Sequence, residues 1–182
     1  MYKANLRRAH QEASFTDYRE YLLSLQMKAE ILPFAPMYMA RIAQLTNKSN
    51  QFNLTTLRCS QADIERYAAD PAYITLYGKL SDCFGDNGVV SVVFGHVDSA
   101  DSAVFHIDLW LMSCRVLKRG METAMMDTLV SRCMERGISQ IRGYYYPTAK
   151  NKMVREFYKE QGFTKASEDT DGNTVWQLSL EN

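Results

Sequence analysis

The chain has 182 residues, with 21 Lys+Arg against 21 Asp+Glu, so its formal net charge is zero. That balance gives no electrostatic basis for a nucleic acid or an acidic membrane as partner. Hydrophobic residues make up 46% and aromatic residues 12%, which supports a sizeable core and excludes a disordered chain. No apolar run reaches membrane-spanning length, and there is no internal repeat or low-complexity tract. Cys59, Cys83, Cys114 and Cys133 form no Cys-x-x-Cys, and none has a His at zinc-ligand spacing, so no metal site is expected. Residues 1–12 carry four basic side chains and no apolar run, unlike a secretory signal. The expectation is a cytoplasmic protein with reduced, mostly buried thiols.

The first expected element is an amphipathic helix over residues 14–29, with Phe15, Tyr18, Leu22, Leu25 and Ala29 at helical spacing. Ser14 or Thr16 is its candidate cap, and Asp17 and Glu20 suit its first turn. Pro33 and Pro36 break it, and Pro36 suits the start of a second helix with Met39, Ile42, Ala43 and Leu45 on its apolar side. Phe52 to Leu57 is β-prone. Ser60, with Asp63 three residues on, reads as a helix start resembling a capping box. Tyr73–Leu80, Val89–Val97 and Ala103–Ser113 read as strands, separated by the turn signals Gly85-Asp86-Asn87-Gly88 and Asp98-Ser99-Ala100-Asp101. A helix is expected over Gly120–Arg136, with Met121, Met125, Leu129 and Cys133 on one side and Gly137 as C-cap. There follow a strand over Ile138–Tyr145, a short helix over 151–161, and two last strands over Phe163–Ala166 and Thr174–Leu180.

From Gln51 the order is β-α-β-β-β-α-β-α-β-β. Antiparallel runs mixed with β-α-β crossovers predict an α/β (α+β) fold with a mixed, mostly antiparallel central sheet and helices on both faces, plus N-terminal helices. The expected division is a helical extension over 1–48 and the main domain over 49–182.

This order resembles the GCN5-related N-acetyltransferase (GNAT) fold. Asn151-Lys-Met-Val-Arg-Glu-Phe157-Tyr158-Lys-Glu-Gln-Gly162-Phe163 looks like that family's last helix, and Leu109 to Glu122 looks like its acyl-CoA segment. A more specific resemblance is to FkbH-like proteins. It is carried by Leu45 to Thr56 (LTNKSNQFNLTT), Phe84 to Gly88 (FGDNG), Leu111 to Leu117 (LMSCRVL) and Tyr146 to Asn151 (YPTAKN), and it covers residues 40–182. It implies a role in making methoxymalonyl-type extender units for polyketides. In that family a haloacid-dehalogenase-like lobe loads a glyceryl group onto an acyl carrier protein, and the back lobe is acetyltransferase-like. This chain has no Asp-x-Asp-x-Thr/Val motif, so glyceryl loading is not carried over. The implied partners are an acyl carrier protein and a haloacid-dehalogenase-like domain.

An acyltransferase of this type holds acetyl-CoA or another phosphopantetheine thioester. Backbone N–H groups at Met112, Ser113 and Cys114 would face the arm and its carbonyl. Gly120 and Met121, at a helix N-terminus, would face phosphate. The usual R/Q-x-x-G-x-G/A spelling is broken. Leu117-x-x-Gly120-x-Glu122 places the helix correctly but lacks the basic and small residues. Arg115-x-x-Lys118-x-Gly120 keeps the Arg but puts Lys at a small position. Glu122 beside a diphosphate would cost about 1–4 kcal/mol, which Lys118 and Arg119 would offset. A carrier-tethered donor, with one phosphate, tolerates such a site better.

Tyr158 matches the family position for protonating the thiolate, against a core tyrosine as the plainer alternative. Asp108 and His106 share a strand face at i, i+2, so either could be a general base or part of a surface pair. Asn151 is a helix cap or an arm contact. Cys114 is more ordinary as a structural thiol than as a nucleophile. Tyr144 and Tyr146 would line one side of a groove. Three functions follow: an acyltransferase working with a carrier protein, a non-catalytic module that docks a carrier or partner lobe, and an ordinary acetyl-CoA-dependent amine acetyltransferase.

Overall fold

The computed structural model describes residues 2–13 and 17–180. Helices α1 (Tyr2–Ala13) and α2 (Tyr18–Ser24) precede strand β1 (Lys28–Leu32). A 3-10 turn at Pro36–Tyr38 leads into α3 (Met39–Lys48), and α4 (Gln61–Ala69) follows. Strands β2 (Tyr73–Asp82), β3 (Gly85–Val97) and β4 (Val104–Met112) form a meander. Helix α5 (Met121–Glu135) leads to β5 (Gln140–Tyr145), and the one-turn α6 (Phe157–Glu160) leads to β6 (Thr164–Glu168) and β7 (Thr174–Ser179). The seven strands lie in the order β1-β2-β3-β4-β5-β7-β6. Neighbours are antiparallel except β4 and β5, which run parallel. The expected α/β class and mostly antiparallel sheet are what the chain adopts.

The two faces of the sheet carry separate cores. On one, Leu76, Val93, Trp110 and Met112 meet Met121, Met125, Leu129 and Cys133 of α5 and Phe157 and Tyr158 of α6. On the other, Val92, Phe94, Leu109 and Leu111 meet Ile42 and Leu45 of α3 and Ile64 of α4. The methionine side of α5 is thus core, as its spacing predicted. Gly137, at φ 75°, closes α5, and the Ile138 N–H donates to Cys133 O at 3.0 Å, the bond of a Schellman cap. Ser60 and Asp63 form a complete capping box.

Several expectations fail locally. Helix 14–29 is only α2, and its cap is Asp17, whose carboxylate accepts from the Arg19 N–H; Ser14 and Thr16 lie outside the described residues. Gln26 turns to φ 53°, and residues 28–32 pair with β2 as an edge strand. Their helix-forming side chains yield to the backbone bonds an open sheet edge offers. The sheet therefore begins at Lys28. The β2–β3 turn is Cys83-Phe84, with Asp82 opposite Gly85, because the Asp82 carboxylate accepts the Phe84 N–H. Residues 151–161 split into a 3-10 turn and α6. Cys59 and Cys133 are buried but Cys83 and Cys114 are exposed, and all four are free. Burial pushes the Cys59 thiol up to about 11 and Cys133 to about 12.

Gly143 on β5 is held to glycine by Tyr158. A Cβ there would sit 2.5 Å from the Tyr158 ring. Gly143→Ala should lower stability by about 1–3 kcal/mol in urea unfolding. The Tyr158 hydroxyl is fully buried, with the Tyr144 backbone offsetting its desolvation only in part, so Tyr158→Phe should unfold at the same or higher urea concentration than the natural chain. A loss near 1 kcal/mol would mean that the hydroxyl has a partner.

Candidate functional site

Beyond their first three paired residues, β4 and β5 diverge. Pairing runs only from Val104–Gln140 to His106–Arg142, which leaves the later half of β4 with an edge facing a gap. The chain fills that gap with its own residues 52–55. The Leu54 N–H donates to Trp110 O at 3.1 Å, and the Met112 N–H donates to Phe52 O at 3.1 Å. On the other side, the Tyr146 N–H donates to Leu54 O at 2.9 Å. Thr55 Oγ1 donates to Asp108 O at 2.7 Å. Phe52, Asn53 and Leu54 are buried, and Phe52 packs edge-on against Phe157 at 5.2 Å. The β-prone stretch is thus a single bridge, Asn53 to Leu111, rather than a strand.

Asn151 pins this segment from β5. It makes no cap bond to the turn that follows it. Its Nδ2 donates to Asn53 O at 3.0 Å and Tyr146 O at 2.9 Å, while its Oδ1 accepts the Thr148 N–H at 2.7 Å. The fully buried amide is committed to the fold.

The other residues expected at a thioester donor are also committed. The Ser113 N–H donates to Val90 O at 2.7 Å. Cys114 is exposed, its thiol 3.2 Å from Gln51 Oε1. Lys118 adopts φ 62°, its N–H donates to Glu122 Oε1 at 3.3 Å, and its carbonyl accepts the Tyr18 hydroxyl at 2.5 Å. Arg119 turns inward. It donates to Asp82 at 3.3 Å and to Arg115 O at 2.9 Å, and Arg8 of α1 pairs with the same carboxylate. Gly120 starts α5 at φ 86°, as the preferred register requires, but Met121 is buried in the core. A phosphopantetheine arm laid along β4 does not fit this set. The Met112 and Ser113 N–H groups are bonded, the gap is filled by Leu54, and Arg119 is turned onto the Asp82 carboxylate that it shares with Arg8.

Tyr158 is likewise withdrawn. Its ring lies against Gly143 and Phe163. Burial pushes its ionisation far above the phenol range, and the neighbouring Tyr144 backbone offsets this only in part.

The open site lies on the α4 side of the sheet, where a cleft of about 620 Å³ is lined by Thr55, Leu57, Tyr67, His96, His106, Asp108 and Tyr144, among others. A β-bulge brings Asp108 there. Phe94 pairs with Leu109 and Gly95 with Ile107, so Asp108 is the extra residue. Ile107 then faces the α5 core and Leu109 the α3–α4 core, though residues two apart in a regular strand share a face. His106 and Asp108 share the cleft, as their spacing predicted. Asp108 accepts or shares a proton with His96 Nδ1 at 2.7 Å, and His106 Nε2 sits 2.7 Å from Asp98 Oδ1. His106 Nδ1 lies 2.6 Å from the Tyr144 hydroxyl. The two imidazoles stack at 5.0 Å, and Tyr67 stacks on Phe94 at 4.7 Å. Tyr144 and Tyr146 line the cleft together.

His96 and Asp98 escaped the sequence reading because nothing local marks them. His96 stands opposite His106 in the folded hairpin, a register that a turn over residues 98–101 alone would not give. Among the described residues, no group of three or more His, Cys, Asp or Glu is arranged for a metal ion, and no helix is long and apolar enough to cross a membrane.

No protein-family model matches the sequence, and no curated protein matches it. Solved structures do match its shape. The ribosomal-protein-S18-alanine N-acetyltransferase from Escherichia coli aligns with a TM-score of 0.61 at 12% identity, over 85% of this chain and 96% of that one. The GNAT domain of S. lividans PAT aligns at 0.64 and 17%, over 84% and 90%. This is the GNAT acetyltransferase fold. YncA of Salmonella typhimurium, solved with its cofactor acetyl-CoA, aligns at 0.62 and 13%, over 84% and 94%. At these identities the likeness concerns the fold alone.

Burial raises the Asp108 carboxyl above its ordinary value, against the pull of the His96 bond. A raised carboxyl favours folding below its unfolded pKa of about 3.9, and that contribution is lost as pH rises through the folded value. Near pH 7 the ionised Asp108 is a net cost to the GNAT fold. Asp108→Asn should therefore melt at or above the natural chain near pH 7 and lose that advantage near pH 4 in thermal scans. A deficit near neutrality that disappears in acid would show the His96 pair to dominate.

Proposed function

We propose that the chain is a GNAT-fold domain of the FkbH type. It serves methoxymalonate-type extender-unit assembly by docking an acyl carrier protein, with the cleft around Asp108 as its working site and no acetyl-CoA donor. The observation that carries this reading is the filled gap between β4 and β5. Three residues of the FkbH-like segments, Asn53, Leu54 and Asn151, make the bonds that fill it. A fourth, Tyr146, anchors it from just past the end of β5. The shared spelling therefore has a structural use that closes the thioester groove instead of building it. A haloacid-dehalogenase-like domain is the companion this reading requires, since glyceryl loading has no residues here.

A second reading, acyl-type catalysis in the cleft, is favoured by the two His–carboxylate pairs at 2.7 Å. Such pairs hold imidazoles in one tautomer and orientation, which acid–base chemistry needs. Under this reading Asp108→Asn abolishes turnover of a loaded carrier and leaves carrier binding intact.

Calorimetric titration separates these from an ordinary acetyltransferase. Acetyl-CoA at about millimolar concentration should give no binding heat, whereas a phosphopantetheinylated carrier protein should bind at about micromolar Kd. Micromolar binding of acetyl-CoA would overturn the proposal, because it would require residues 52–55 to leave their ladder.

A further inference from the structure

A row of polar groups runs from the wall of the cleft to the turn after β3. Asp98 opens it, in the turn after β3. Its Oδ2 accepts the N–H groups of Ala100 and Asp101, both at 3.0 Å, so the carboxylate is held by its own turn and Oδ1 is aimed at His106. A carboxylate only accepts, so His106 Nε2 carries the proton. In a neutral ring Nδ1 is then an acceptor, and the Tyr144 O–H must donate to it across 2.6 Å. The direction of each hydrogen follows from the chemistry of the ends. Tyr144 lines the cleft, His106 is largely buried, and Asp98 is partly open to solvent. The row therefore runs from the cleft interior to the surface.

We propose that Asp98, His106 and Tyr144 form a proton relay in which the Tyr144 hydroxyl is the base of the cleft. This rests on the reading of the cleft as the working site. When a bound hydroxyl or other X–H group is deprotonated, its proton passes to the Tyr144 oxygen. The Tyr144 proton passes in the same step to His106 Nδ1. The resulting imidazolium is balanced by the Asp98 carboxylate, and the return of one proton resets the row. Tyr144 is the group that touches the ligand, while His106 and Asp98 act through it.

The charged and titratable groups facing His106 are few. Asp98 comes from the turn, His96 from β3, Asp108 from β4 itself, and Tyr144 and Arg142 from β5, Arg142 being opposite in register. Asp108 is engaged by His96, which leaves Asp98 as the carboxylate bonded to His106.

The test uses p-nitrophenyl acetate on the intact chain, with labelled tyrosines located by mass spectrometry. Relay activation makes Tyr144 oxygen attack the ester carbonyl while its proton goes to His106 and p-nitrophenolate leaves. Acetylation of Tyr144 should be fast and should fall by about 10²-fold in His106→Asn. Asp98→Asn should slow it as well and should move the His106 proton toward Nδ1 in histidine-tuned 15N spectra. Those spectra also report whether each variant is folded. Equal labelling in the natural chain and His106→Asn, or no labelling of Tyr144, would overturn the relay. So would an Nδ1–H tautomer in the natural chain. None of these readings needs a carrier protein, so failure of carrier docking leaves them unaffected.

Discussion

A strand edge inside a protein must find partners for its N–H and C=O groups. In this chain that requirement falls on the later half of β4. The strand diverges from β5 after His106, and water cannot satisfy its backbone because Leu109 to Met112 are buried. Residues 52–55 meet the need, bonding β4 on one side and Tyr146 on the other. Because Leu54 bonds β4 on one side and the residue just past β5 on the other, the segment acts as a wedge between the two halves of the sheet. Asn151 then locks the wedge with two donated bonds and one accepted bond. A thioester arm laid there would have to displace residues packed and bonded between β4 and Tyr146.

The wedge also shapes the cleft. Thr55 leaves the ladder through its bond to the Asp108 carbonyl, and Leu57 continues along the cleft wall. The bulge at Asp108 turns a carboxylate toward His96 while Leu109 keeps its place in the second core. Closing the donor groove and forming the polar cleft are thus two results of one chain path.

The front of the chain reinforces the same outcome. Arg8 and Arg119 share the buried Asp82, and Tyr18 bonds the Lys118 carbonyl. Burial alone would raise the Asp82 carboxyl, but its bonds to Arg8 and the Phe84 N–H hold it below the ordinary range. Helices α1 and α2 therefore pack beside the loop before α5 and draw Arg119 onto Asp82, while Lys118 stays exposed.

The sequence by itself determined the order of most elements, because periodicity and turn chemistry act over a few residues. The methionine face of α5, the capping box at Ser60, the Gly137 cap and the shared face of His106 and Asp108 are all local patterns, and all could be read directly. The segments around Asn53 and Tyr146 carried the resemblance to FkbH-like proteins, but not the bonds they make. Only the tertiary structure decided that β1 is a strand, since Lys28-Ala29-Glu30 favours a helix until β2 offers its edge. Only it placed Leu54 between β4 and β5, moved Asn151 from a cap to a cross-link, buried Tyr158, and joined Asp98 and His96 to the cleft. Those outcomes depend on contacts between residues far apart in the chain, where backbone groups and side chains compete for partners that no local pattern identifies.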